Sequence, residues 1–135
     1  MKTDGHSAIL SAASLYPYTF GVSDDKTGAL KVLKRLEFEY GLSACEKRND
    51  DIFYQWDYPC MWSAATCLAY MGLKNIGLDD DAARIAGKYI GVVRQIFGET
   101  GRLWEKYDAL TGKIAVTSEY ETMPMMGWTA SVTAG

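Results

Sequence analysis

The chain has 135 residues, 48% hydrophobic and 23% charged, which suits a single globular domain large enough to bury a core. Its net charge of −3 and pI of about 5.1 supply no basic field, arguing against nucleic acid and an anionic membrane as partners. No apolar run approaches the roughly 18 residues that cross a bilayer, and Met1 to His6 lacks the apolar segment of a signal peptide.

Cys45, Cys60 and Cys67 form no C-x-x-C pair and read as reduced thiols of a cytosolic protein, so the expected location is cytoplasmic. The one histidine, His6, sits near the N-terminus, and no metal site is expected.

In chain order, Ala8 to Ala13 reads as one or two helical turns. Tyr16 to Gly21 then reads as extended or turn, because Pro17 disfavours helix at the residues before it. Ser23 is the expected N-cap of a helix running to about Tyr40, with Asp24 and Asp25 in its first turn. Ala29, Leu33, Leu36 and Tyr40 form its apolar stripe, Lys31, Lys34 and Arg35 its wet side, and Gly41 its stop.

Leu42 to Asp51 reads as a polar loop, with Asp50-Asp51 on a solvated face rather than in a metal or catalytic pair. Ile52 to Pro59 is extended and then turns. Met61 to Met71 is apolar nearly all round, a helix covered on every side and ended by Gly72 or Gly77.

Asp79 to Asp81 opens a longer helix ending near Phe97-Gly98. Ile85, Tyr89, Val92, Val93 and Ile96 form its buried face, and Gly87 and Gly91 are expected to mark close helix packing. Leu103 to Tyr107 and Ile114 to Tyr120 alternate about a Thr111-Gly112 turn, giving a short hairpin or two extended loops. Met123, Met125 and Met126 read as gap-filling core, and a last helix begins at Gly127. Four helices joined by loops make the fold class all-α.

Three stretches place a carboxylate beside an aromatic ring where helical pattern gives way to extended chain. These are Gln55-Trp56-Asp57-Tyr58-Pro59, Trp104-Glu105-Lys106-Tyr107-Asp108 and Glu119-Tyr120. The pairing suits a sugar site, since aromatic faces stack on pyranose rings and carboxylates bind hydroxyls or move protons. From spacing alone Glu105 reads as a surface glutamate on a hairpin. Asp57 reads as a turn or N-cap carboxylate, a sugar contact, or both. Glu119 reads as a site residue or an exposed strand residue, and Trp56 and Trp62 as stacking surfaces or plain core.

Gln55-Trp56-Asp57-Tyr58-Pro59-Cys60-Met61-Trp62 resembles the Gln-Trp-Asp-x-Pro-x-x-Trp signature of the trehalase family of glycoside hydrolases. The resemblance continues through Gly72-Leu73, the helix from Asp79, Glu105-Lys106-Tyr107-Asp108, Glu119-Tyr120 and Gly127-Trp128-Thr129. It implies an (α/α)6 barrel that hydrolyses an α-glucosidic bond with inversion, without metal or cofactor. Carried over, Glu105 is the general base, and Gln55, Trp56, Asp57, Trp62 and Glu119 line the substrate site.

The chain departs from the family pattern in three ways. It holds too few helices for the barrel and reads as a partial toroid, the C-terminal third of the fold in a single domain, 1–135. The family's general acid, an Asp in an earlier segment, has no counterpart here, so this chain alone is not expected to hydrolyse a glycoside by the family mechanism. Val116-Thr117-Ser118 replaces a glycine-rich run, and Met123 and Ala130 replace polar positions, leaving the glycoside open between trehalose and a related glucoside. Two other readings stand beside this one. The first is a non-catalytic all-α fragment that binds sugar weakly at most and associates with itself through exposed inner helix faces. The second is a self-sufficient hydrolase with Asp57 or Glu119 as the acid.

Overall fold

The computed structural model describes residues 9–47, 52, 54–124 and 127–133. A 3-10 turn, Ala12–Leu15, runs directly into α1, Tyr16–Thr19. The expected extended Tyr16-Pro17 segment is therefore helical. Pro17 falls in the first turn of α1, where a missing N–H costs nothing and the fixed φ favours helix. The expectation at Ala8, like those at His6, Asp50-Asp51, Met125 and Met126, lies outside the described residues, in whole or in part.

The next helix, α2, spans Lys26–Leu36. Its cap is Asp25, whose Oδ1 accepts from the Gly28 N–H at 3.0 Å, rather than Ser23, whose hydroxyl accepts from Asp25 N–H at 3.3 Å. Ala29, Leu33 and Leu36 are buried as the stripe requires. The helix stops short of Tyr40 because Glu37 leaves helical geometry (φ −84°, ψ 125°) and starts a turn that bridges back to Leu42. There the Glu37 carboxylate accepts from Arg84 at 2.9 Å and from Lys88 at 2.7 Å, tying the end of α2 to α4 (Asp79–Thr100). The stretch expected as a polar loop begins with buried Leu42, Ser43 and Ala44.

A short strand, β1, covers Cys60–Trp62, where the start of a helix was expected, and α3 follows at Ser63–Asn75. α3 is not covered all round: Tyr70 and Met71 are exposed, while Ala65, Ala69, Gly72 and Leu73 face the core. α3 packs on α1 and α4. A Cβ at Gly72 would stand 2.9 Å from Thr19 Oγ1 and 3.1 Å from the Leu15 carbonyl, so this glycine permits the α1–α3 approach. Gly87 and Gly91 do not mark such a contact. Both are exposed, and a Cβ at either would meet nothing within 4 Å.

α4 buries Ala82, Ile85, Tyr89, Val92, Val93 and Ile96, the face its 3.6-residue period requires, and ends at Gly101 in the left-handed region (φ 68°). β2, Lys106–Asp108, pairs antiparallel with β1 in the register Cys60–Asp108, Met61–Tyr107 and Trp62–Lys106. Of the two alternatives, a short hairpin or two extended loops, the hairpin is present as a Tyr107–Ile114 bridge around Gly112 (φ 64°), but β1 on the other edge of β2 was not anticipated. The chain closes with α5, Gly127–Thr133. Met123 is exposed (57%) rather than core. Two apolar clusters result, one around α2 and α3, the other where α4 meets the β1–β2 ribbon through Met61, Tyr89 and Tyr107. The described architecture is thus dominantly helical, with one small ribbon.

Candidate active site

The ribbon assembles the site. Trp104 bridges to Pro124, and the Glu105 N–H donates to the Met123 carbonyl at 3.0 Å. The chain bends at Glu105 and then pairs with β1 from Lys106 onward. Trp62 thereby faces Lys106, and residues 54–62 come beside Glu105 despite their distance in sequence.

Glu105 is mostly shielded, with its side chain 12% exposed. Its Oε2 accepts from Lys106 Nζ at 2.6 Å and from the Tyr120 hydroxyl at 2.8 Å. Lys106 is fully buried, its ammonium 4.0 Å from the centre of the Tyr120 ring and 5.4 Å from that of Trp62. The Tyr120 hydroxyl also lies within hydrogen-bond reach of the Gln55 side-chain oxygen, a second acceptor for its one proton. Burial, then the Glu105 hydrogen bond, pushes the Tyr120 phenol up to about 12, so it stays a protonated donor near neutral pH.

Gln55 is held at three points: its side chain by Tyr120, its N–H by the Glu119 carboxylate at 2.6 Å, and its carbonyl by the Trp62 indole N–H at 2.6 Å. Trp56 stacks on Trp62 with centroids 4.0 Å apart and planes 4° from parallel, and Trp128 leans on both at 5.9–6.3 Å. Trp62 is buried, whereas Trp56 (49%) and Trp128 (45%) present open indole surface. Such a half-exposed wall offers flat apolar faces to a ligand. Asp57 is 8% exposed and serves its own turn: Oδ1 accepts from the Tyr58 N–H at 2.9 Å, just before a cis Tyr58–Pro59 bond. It is not the cap of α3, a position Trp62 occupies. Beneath the turn, burial pushes the Cys60 thiol up to about 12, so it remains protonated rather than nucleophilic.

Of the residues singled out from sequence, Glu105, Gln55, Trp56, Trp62 and Glu119 converge in one connected network, and Asp57 lies in the turn beneath it. Sequence reasoning passed over Lys106, the Tyr120 hydroxyl and Trp128. Lys106 stands next to the base candidate in an apolar alternation, which is the one signal that it is buried. Trp128 lies inside a quoted motif, yet its place beside Trp56 depends on how α5 docks.

The trehalase family model matches residues 1–135. The chain belongs to the trehalase family. A periplasmic trehalase from Salmonella schwarzengrund (strain CVM19633) is 31% identical over 130 residues, a match covering 92% of this chain and 22% of that trehalase. One from Salmonella paratyphi B (strain ATCC BAA-1250 / SPB7) is 29% identical over 128 residues, with the same coverage. Among solved structures, neutral trehalase from Saccharomyces cerevisiae superposes with a TM-score of 0.76 at 26% identity, over 95% of this chain and 23% of that one. The chain therefore spans 22–23% of the length of these trehalases. Among its described residues, no helix is long and apolar enough to cross a membrane.

Proposed function

We propose that this chain forms the general-base side of an inverting glycoside hydrolase acting on an α-glucosidic bond, trehalose or a related glucoside. In this reading residues 1–135 are one domain, the C-terminal third of an (α/α)6 toroid. Glu105 takes a proton from water as the water attacks the anomeric carbon. Gln55, Trp56, Asp57, Trp62 and Glu119 shape the glucose subsite, the indoles by stacking and Gln55 through its amide. The carboxylic acid that protonates the leaving oxygen lies outside these residues. Inversion requires it about 6.5–9.5 Å from the base, with the water between them.

The observation that carries the reading is the Glu105 carboxylate, fixed by two donors beside a half-exposed indole wall. A shielded carboxylate gripped on one oxygen is built to accept a proton in a set direction.

α-Glucosyl fluoride separates the two halves of the reaction, because fluoride departs with little help from an acid. The chain is expected to hydrolyse it above the buffer rate while leaving trehalose intact. Glu105→Gln is expected to lower that rate about 100-fold or more, the usual worth of a positioned base. Equal rates for the chain and Glu105→Gln, or no rate above buffer, would overturn the reading.

A further inference from the structure

Adjacent side chains of a regular strand point to opposite faces. Glu105 and Lys106 nevertheless meet at 2.6 Å. The bend at Glu105, where the chain exchanges its Met123–Pro124 partner for β1, removes the alternation and turns both side chains to one side. A fully buried ammonium is expensive to desolvate and persists where a countercharge and aromatic faces compensate it. Lys106 has both: the Glu105 carboxylate, and the rings of Tyr120 and Trp62.

The two donors to Glu105 act on the same atom. Lys106 Nζ and the Tyr120 hydroxyl both reach Oε2, and no described residue donates to Oε1. Charge-assisted hydrogen bonds on one oxygen hold negative charge there and fix the rotation of the carboxylate plane.

Resting on the reading of Glu105 as the base, we propose that Lys106 and Tyr120 are positioning residues that anchor Oε2 and thereby select Oε1 as the proton-accepting oxygen. The water oxygen bonds to the anomeric carbon as the bond from that carbon to the leaving group breaks. The water proton passes to Oε1, and the bond electrons leave with the departing group. Lys106 and Tyr120 keep their own protons throughout. They touch no reacting atom, and their contribution is the direction in which the lone pair of Oε1 points.

The test uses the 135-residue chain with α-glucosyl fluoride, beside Tyr120→Phe, Lys106→Met and Glu105→Gln. Tyr120→Phe keeps the ring over the ammonium and removes only the hydroxyl. It is expected to lower kcat about 10-fold, and Lys106→Met about 100-fold, with KM within about 3-fold of the parent, the signature of a lost interaction in the transition state. Because Lys106→Met empties a buried charged position and can fail to fold, a second readout uses lysine labelled with 15N at Nζ. The buried Lys106 ammonium signal is expected to shift in both Tyr120→Phe and Glu105→Gln.

A parental kcat in Tyr120→Phe, where Glu105→Gln has lost turnover, overturns the positioning role and leaves the base reading standing. A Lys106 signal unmoved by both substitutions overturns the anchor itself, whatever the kinetics. Full turnover in Glu105→Gln overturns the base reading, which the proposal needs, and the ammonium signal then reports separately whether the anchor exists.

Discussion

Trp62→Phe tests whether the indole of Trp62 is the keystone between the ribbon and the aromatic wall. The indole N–H donates to the Gln55 carbonyl at 2.6 Å, and its ring backs Trp56 at a centroid distance of 4.0 Å. Phenylalanine retains a ring but no donor. Leaving the Gln55 carbonyl short of its partner costs about 1–3 kcal/mol. The smaller ring also forfeits part of a stacked pair worth about 0.5–1.5 kcal/mol beyond its area. Together these give a loss of about 1–4 kcal/mol. Urea denaturation of parent and variant, followed by far-UV circular dichroism, measures it as a fall in midpoint at constant slope. A difference below about 0.5 kcal/mol would refute the claim that this bond and this stack hold residues 54–62 in place.

Two further outcomes follow from neighbouring contacts. Burial alone would raise the Glu37 carboxyl, but hydrogen bonds from Arg84 and Lys88, reinforced by their charges, bring it below the ordinary glutamate range. A carboxyl lowered in the folded state stabilises above its unfolded value and loses that contribution as pH falls through the folded one. Glu37→Gln is therefore expected to be less stable than the parent by about 1–2 kcal/mol at pH 7, discounted because Arg84 is partly exposed. The gap should narrow as pH falls below the glutamate range, and a pH-independent gap in urea titrations would contradict it. Separately, Trp56→Ala removes half-exposed stacking surface. Glucose titrated into the parent should quench tryptophan fluorescence, and the variant should need roughly tenfold more sugar; an unchanged titration would take Trp56 out of the subsite.

The long elements were legible because their signals are local. α4 announces itself by Asp79 to Asp81 at one end and by Ile85, Tyr89, Val92, Val93 and Ile96 on one face. The boundaries failed where a tertiary contact overrode local pattern. Glu37 stops α2 because Arg84 and Lys88 lie across from it, and no periodicity within Lys26 to Tyr40 carries that. β1 was missed because Cys60 to Trp62 is apolar, as a helix start can be, and its partner lies some 46 residues on at Lys106 to Asp108. That pairing also explains the gap in the site: Glu105, Gln55 and Glu119 were visible as motif residues, but the links of Gln55 to Glu119 and, through Tyr120, to Glu105 depend on a register that composition does not encode. Lys106 drew no reading of its own, and its burial depends on the ribbon closing over it. Gly87 and Gly91 misled because small residues at helical spacing permit close packing without requiring it.

In the proposed function, Glu105 directs water to the face of the sugar opposite the leaving group. This role is tested most directly by the anomer first released from α-glucosyl fluoride, followed by proton NMR before mutarotation blurs the record. β-Glucose is expected first, at a rate that collapses in Glu105→Gln. α-Glucose first, or β-glucose at the same rate in Glu105→Gln, would contradict it.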